Sequence, residues 1–452
     1  FKDGIVQQIR PLVSNQPFGI FYVEFADSQV YRTALRHVVR GLVPNRRRDP
    51  ALQAWQLPHI LFICATKNYE LISFAHFKGD AFAKAKLTSF GWERGSDYIH
   101  TLCKFNLPGL KWPDDESDRE SWIASWTKAF DKEPLTKEFF KRFDNALDLI
   151  KADLEKFQKL KSADAYSRAQ LLLERLLFLY FLQRRGWLNQ NRDYLVDNFK
   201  THRAGPNDFS YYEEFLEKLF WSLASSPTSD NRLQGIPFLN GGLFDDDEFA
   251  LTLVRKKNNP PLLIRNTTFR AVFDDFLEAF HFTVREDTPL NQEVAVDPEM
   301  LGKVFESIVL HAEAADPEAN APDKRKATGS YYTPRIVVHF ICQEVLLQYL
   351  ANHLPGDNWP SRLKKIFDID ATEGLGDDEL TTLRDLLTPS EGRTLLRVVE
   401  KLKCCDPAVG SGAFPVGLMH ELVDLRRIAG AAANGYVDPI RKEGNKWIHE
   451  TK

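Results

Sequence analysis

The 452 residues are too many for one core and predict two or three domains, and a 43% hydrophobic share that includes 33 phenylalanines is enough to build them. A net charge of −4 does not advertise a nucleic-acid binder, although local patches rather than the total make such a footprint. No apolar run approaches the roughly 18–20 residues of a membrane span, and the start, "FKDGIVQQIR", lacks the apolar centre and small-residue cleavage site of a secretory signal.

Residues 1–130 read as an α/β domain. "FGIFYVEF" (Phe18–Phe25) and "HILFICA" (His59–Ala65) are β-rich and mostly apolar, as buried strands are. "LISFAHF" (Leu71–Phe77) pairs with the second of them through a turn at Lys67–Asn68. Between the first two strands, "YRTALRHVVRGL" has apolar residues at helical spacing. "GLKWPDDESDRESW" (Gly109–Trp122), with its proline and acids, reads as a linker or surface loop.

Residues 131–325 read as a helical domain. "FFKRFDNALDLIKADLEKFQKL" carries an apolar stripe of period 3.6 with charges opposite. "AQLLLERLLFLYFLQRRGWL" (Ala169–Leu188) is apolar around most of its circumference, which predicts a central buried helix ended by Gly186. "YYEEFLEKLFWSL" is a third helix, and "IPFLNGGLFDDDEF" a glycine turn followed by an acidic surface segment. "AADPEANAPDKRKATGS" (Ala314–Ser330) reads as a connection. No tandem repeat is visible.

The five cysteines (Cys64, Cys103, Cys342, Cys404, Cys405) show no CxxC pairing and no His at zinc spacing. Reduced thiols, no metal site and a cytoplasmic home are the expectation. Two basic patches, Arg46–Asp49 and Asp323–Lys326, are each ordinary solvated surface when taken alone.

Residues 326–452 open on "TGSYYTPRIV" (Thr328–Val337). Thr333-Pro334 is a helix start: threonine can cap the first N–H groups, and proline suits the first helical position. The helix "RIVVHFICQEVLLQYL" follows, with two tyrosines just ahead of its positive end, an arrangement able to hold a carboxylate and an aromatic ligand. By itself this is also an ordinary capped helix after a loop. Further on, "CCDPAVGSGAFPVG" (Cys404–Gly417) predicts a short strand over Leu402–Cys405, a tight Gly410-Ser411-Gly412 turn and a helix from about Phe414. Such a unit binds nucleotide-like cofactors at the edge of an α/β sheet. A P-loop would need GxxxxGK(S/T), and no Lys-Ser or Lys-Thr follows Gly412. A dinucleotide fingerprint would need its third glycine closer than Gly417.

The D-P-A-x-G-S-G-x-F pattern of Asp406–Phe414 resembles the S-adenosyl-L-methionine (AdoMet) motif I of DNA adenine-N6 methyltransferases. Thr328–Pro334 resembles their motif X. The order X then I, behind a helical region, resembles the methyltransferase part of type I and type IIG restriction–modification enzymes and related phage-defence methylases. "LLLERLLFLYFLQRRGWL", "IPFLNGGLF" and "FHFTVREDTPLNQEVAVDPEMLGKVFESIV" extend the resemblance over roughly residues 130–425.

The resemblance implies a nuclease-like N-terminal α/β domain, a central helical domain and the start of a Rossmann-like methyltransferase domain. It places Thr328, Gly329, Tyr331 and Thr333 around the methionine end of AdoMet, with Tyr332 in the same element. Asp406, Ala408, Gly410 and Gly412 form the turn beneath, beside Pro407, and Phe414 opens the next helix. It implies double-stranded DNA as partner, with other defence-system subunits, and no membrane. The (N/D/S)-P-P-(Y/F/W) catalytic loop follows motif I in this family. It does not appear by Lys452, so the catalytic residues stay unassigned, and a longer natural protein with that loop and a target-recognition domain is expected. Asn259-Pro260-Pro261 precedes motif X and continues into Leu262, which has no aromatic face; a Pro-Pro turn is the simpler reading. Asp438 is a candidate for gripping the AdoMet ribose, at a long spacing. A PD-(D/E)xK nuclease site would need an acid plus E-x-K. The nearest match, Glu24-Phe25-Ala26, has alanine in place of lysine, with Asp49 as a forced first acid. The expectation is a domain without a working cleavage site. The alternative to a methyltransferase is a DNA-binding or assembly module that binds AdoMet without transferring methyl; RNA or protein methylation is the further rival.

Overall fold

A computed structural model describes residues 6–13, 19–26, 59–78, 86–95, 99–112, 115, 118–202, 207–224, 229, 232–239, 243–244, 262–283, 291–296, 300, 302, 333, 335–356, 358–369, 371, 375, 377–407, 409, 412–438, 440–443 and 446–449. The chain divides into two compact units, Phe1–Gln29 with Leu57–Ser330 and Val30–Gln56 with Tyr331–Lys452. The expected helix at "YRTALRHVVRGL", the connection Ala314–Ser330 and the acidic run after Phe244 lie outside the described residues. No helix among the described residues is long and apolar enough to cross a membrane.

The first unit is built on a mixed sheet whose strands lie side by side in chain order: β1 (Val6–Val13), β2 (Gly19–Phe25), β3 (His59–Ala65), β4 (Leu71–Lys78), β5 (Lys86–Glu93) and the short β6 (Asn291–Glu293). β2 and β3 run parallel, with Gly19 beside Ile60 and Glu24 beside Ala65. β3 and β4 form the expected antiparallel hairpin, its turn tied by the Leu71 N–H donating to Thr66 Oγ1 at 2.9 Å. Across that hairpin His59 Nδ1 and His76 Nε2 lie 3.0 Å apart, both buried, so one ring donates and the other accepts. β1 and β5 were not anticipated. β1 is an edge strand in which Gln7, Gln8, Arg10 and Pro11 interrupt the apolar run, a composition that edges tolerate and that hides strands from pattern reading.

The helices of this unit are α1 (Ile99–Phe105), α2 (Arg119–Ala129), α3 (Glu133–Phe157), α4 (Ser162–Arg184), α5 (Tyr194–His202), α6 (Glu217–Ala224) and α7 (Asn266–Ala271). Wider π turns at Tyr211–Leu216 and Val272–Leu277 adjoin α6 and α7. The stretch expected as linker or loop is in part α2: Asp118 caps it by accepting from the N–H groups of Glu120 and Ser121, and Trp122 and Trp126 face the core. α4 is buried as its all-round apolar surface requires, and Gly186 just beyond it takes a left-handed φ of 74°. Sheet residues Ile20, Leu61 and Phe90 belong to the same core cluster as Phe139, Leu176 and Phe276, so sheet and helices share one interior. Asp153 on α3, 1% exposed, accepts from the Arg265 backbone N–H, the Arg265 guanidinium and the Thr268 hydroxyl, pinning the start of α7 to that interior.

The second unit contains α8 (Arg335–His353), α9 (Trp359–Phe367), α10 (Asp377–Leu386), α11 (Pro389–Glu400), α12 (Ala413–Ala433) and a hairpin of β7 (Ile440–Glu443) with β8 (Lys446–His449). Leu346, Leu350, Leu363, Leu395, Leu425 and Ile428 build its core. α11 begins with a reciprocal cap between Thr388 and Glu391. Arg362 and the Thr388 cap hold the Glu391 carboxyl down at about 2.

Leu402–Cys405, expected as a strand, corrects the reading. It runs without a ladder partner among the described residues, and Lys403, Cys404 and Cys405 are exposed. A strand exists only through a neighbour that takes its N–H and C=O groups, and β7 and β8 pair with each other.

Candidate functional site

The two helices that begin at the sequence motifs, α8 and α12, pack directly against each other. Gly417 lies at their crossing: a Cβ built there would stand 2.5 Å from Val338 Cγ1 and 3.7 Å from Cys342 Sγ. Cys342 Sγ reaches the Phe414 carbonyl at 3.8 Å, joining the middle of α8 to the first turn of α12. Burial, with Glu421 and Cys404 nearby, pushes the Cys342 thiol up to about 11, so it packs rather than reacts. Glu421, also buried, accepts from Gln343 Nε2 at 3.0 Å and sits 2.6 Å from His339 Nδ1. Sequence reading missed this polar clasp. The signal was present in the four-residue spacing of His339 and Gln343, which puts both on one face.

The glycine turn precedes α12. Gly412 has φ 82°, a left-handed conformation natural to glycine, and its N–H donates to Val409 O at 2.8 Å. Among the described residues a Cβ added there would meet nothing within 4 Å. Among the described residues no side chain caps the first N–H groups of α12. Asp406 is half-buried ahead of the turn, Pro407 is exposed and Phe414 is half-buried. Thr333, half-buried, stands two residues before α8. The described candidates Thr333, Asp406, Pro407, Gly412 and Phe414 thus fall in one unit, on segments leading into two packed helices. Thr328, Gly329, Tyr331, Tyr332, Ala408 and Gly410 lie outside the described residues.

Asp438 is not available to a ribose. Arg427 Nε donates to its Oδ1 at 2.9 Å and Nη2 to its Oδ2 at 2.6 Å, and the Leu375 N–H reaches Oδ2 at 3.0 Å. Both carboxylate oxygens are spent holding the end of α12, so its role is structural. Asn259, Pro260 and Pro261 lie outside the described residues, while Leu262 is buried in the first core. Glu24 sits on β2 opposite Ala65, and Asp49 is outside the described residues. Among the described residues no group of three or more His, Cys, Asp or Glu side chains could hold a metal ion.

The chain is 25% identical over 342 residues to a protein of Methanocaldococcus jannaschii named "Putative type II restriction enzyme and methyltransferase RM.MjaORFECS2P". The match covers 66% of this chain and 26% of that protein, so the chain spans about a quarter of the length of the curated relative. No family model matches the chain. No solved structure matches it either.

Proposed function

We propose that this chain carries AdoMet-binding elements of a DNA adenine-N6 methyltransferase in a restriction–modification or phage-defence system, with double-stranded DNA as substrate. The observation that carries the reading is the crossing of α8 and α12 at Gly417, which ties the helix behind Thr333 to the helix behind Gly412. The distant likeness to a restriction enzyme and methyltransferase supports the same class.

The residues present fit the cofactor. At the left-handed Gly412 a Cβ would meet no described residue within 4 Å, so a side chain there would compete with a ligand approaching the backbone. The positive end of α12 suits a carboxylate, and Asp406 is an acceptor for an ammonium. Thr333 would donate to the carboxylate from the start of α8. When bound, AdoMet supplies an electrophilic methyl group on its sulfonium. The residues of this chain bind and orient; none is assigned to the transfer, and adenine would have to leave the duplex stack to present its N6.

Isothermal titration of the chain with AdoMet is expected to show one-to-one binding that Gly412→Val weakens at least about tenfold, the size of one lost close backbone approach with its strain. Hydrolysed DNA from cells expressing the full reading frame is expected to contain N6-methyladenine. No heat with AdoMet from folded protein sinks the proposal. Binding without any methylated base would turn the chain into the non-transferring module.

A further inference from the structure

The connection between α4 and α5, residues 185–193, is a rigid platform for solvent-facing groups. Its N–H groups are committed: Gly186 to Gln183 O at 2.7 Å, Trp187 to Leu182 O at 3.1 Å, Gln190 to Gly186 O at 3.1 Å and Asn189 to Gly235 O at 2.9 Å. Leu188 is fully buried beneath it. Asn189 and Gln190 both hold left-handed φ values, 50° and 58°, which non-glycine residues adopt at a cost of about 1 kcal/mol each. On this frame Trp187 is 57% exposed, and Arg185, Gln190 and Arg192 of the same loop are exposed as well. The loop's one acid, Asp193, is held by Arg184 at 3.0 Å.

We infer that this loop is a nucleic-acid contact: Trp187 packs on a deoxyribose face while Arg185 and Arg192 hold the flanking phosphates of duplex DNA. The chemistry is matched at each position. A guanidinium fits phosphate oxygens through two N–H groups, an indole is the strongest aromatic stacking surface, and the Gln190 amide can donate and accept at base edges. The exposed residues that flank the indole along this loop are cationic and amide, where a protein-docking loop would be expected to carry apolar ones. Because the backbone is already fixed, binding orders little more than four side chains. In a chain of net charge −4, a local patch whose acid is tied to a neighbouring arginine stands out to a polyanion. The inference rests on the proposal that DNA is the substrate.

Fluorescence anisotropy of a labelled 30-base-pair duplex against the full chain tests it, with AdoMet titrations on the same preparations. Trp187→Ala is expected to weaken duplex binding at least about fivefold, the low end for one lost stacking aromatic. Trp187→Phe is expected to recover most of it. Arg185→Ala with Arg192→Ala is expected to flatten the slope of log affinity against log salt by about 1.8, two phosphates at 0.9 each. Trp187→Ala and Trp187→Phe are expected to melt with the parent, since the indole faces solvent, and the double arginine variant is compared per folded molecule. Unaltered duplex affinity in Trp187→Ala and in the double arginine variant, or no duplex binding by the parent, overturns the inference. Trp187-dependent duplex binding by a chain that takes up no AdoMet would leave the loop standing and remove the methyltransferase reading instead.

Discussion

Replacing Gly417 with alanine measures the contact between the two motif-bearing helices. The new Cβ would stand 2.5 Å from Val338 Cγ1, where carbon atoms settle at about 3.5–4.0 Å, so roughly 1 Å must be found. Val338 cannot swing aside: it is 2% exposed, and a β-branched residue in a helix is confined to one rotamer. Overpacking of this kind costs about 1–3 kcal/mol, against about 1 kcal/mol gained in helix propensity when alanine replaces glycine. The expected net loss is about 1 kcal/mol. Val338→Ala alone is expected to cost about 2 kcal/mol through lost burial and a cavity. The double variant removes the clash, keeps the propensity gain and partly fills the cavity, so it should be more stable than Val338→Ala alone, with a coupling of about 1–3 kcal/mol. Urea unfolding followed by far-UV circular dichroism gives the four free energies. If the two changes simply add, within about 0.5 kcal/mol, the helices do not meet at Gly417 and the carrying observation for AdoMet binding is lost.

Three further outcomes are expected. Burial, and then the charges of His59 and Lys78, push His76 from 6.5 down to about 3. The unfolded chain therefore binds a proton below pH 6.5 that the folded chain refuses; stability is whole above that pH and drains away toward pH 3, by up to about 5 kcal/mol. His76→Phe should flatten this part of a pH series of urea midpoints, and an unchanged slope would remove His76 as its source. Asp438→Asn should destabilise the second unit by about 3 kcal/mol, since buried Arg427 loses its counter-charge, while AdoMet heat per folded molecule stays constant; a ribose ligand would show the reverse pattern. Asp153→Ala should cost about 3 kcal/mol in the first unit by stripping the anchor from Arg265 and Thr268, and a loss below about 1 kcal/mol in a thermal or urea melt would contradict that anchoring.

The elements legible in the sequence were those with a strong period or a strong stop. α3 and α4 announce themselves by their apolar pattern, α8 and α12 by the Thr-Pro start and the glycine turn before them, and β2, β3 and β4 by short β-branched and aromatic runs. What escaped was decided by partners distant in sequence. β5 owes its place to β4 on one side and β6, some two hundred residues later, on the other. α2 opens inside an acidic, proline-bearing stretch because Asp118 caps it and two tryptophans find a core. At the site, the motifs marked the turn at Gly412 and the starts of both helices, but not that Glu421 would clasp His339 and Gln343 from the facing helix. Asp438 was a ribose candidate only through the resemblance, at a long spacing; the fold shows Arg427 bonded to both its oxygens.

α8 carries apolar residues on both sides, and the two sides have opposite fates. Val338, Cys342, Leu346 and Leu350 face inward, whereas Ile336, Phe340 and Val345 are 66%, 65% and 59% exposed. A helix apolar all round belongs in an interior, and in α/β architectures the cover for such a face is a sheet. The segment Leu402–Cys405 shows the same lack from the other direction: it has a strand's composition and no ladder partner among the described residues. In this chain the outer face of α8 should therefore be energetically idle. Phe340→Glu is expected to shift unfolding free energy by less than about 0.5 kcal/mol, as surface changes do, while Leu346→Ala, 1% exposed, should cost about 2–5 kcal/mol. The glutamate should also cut the fluorescence of a dye that reports exposed apolar surface. A loss above about 2 kcal/mol for Phe340→Glu would mean that the face is already covered in solution.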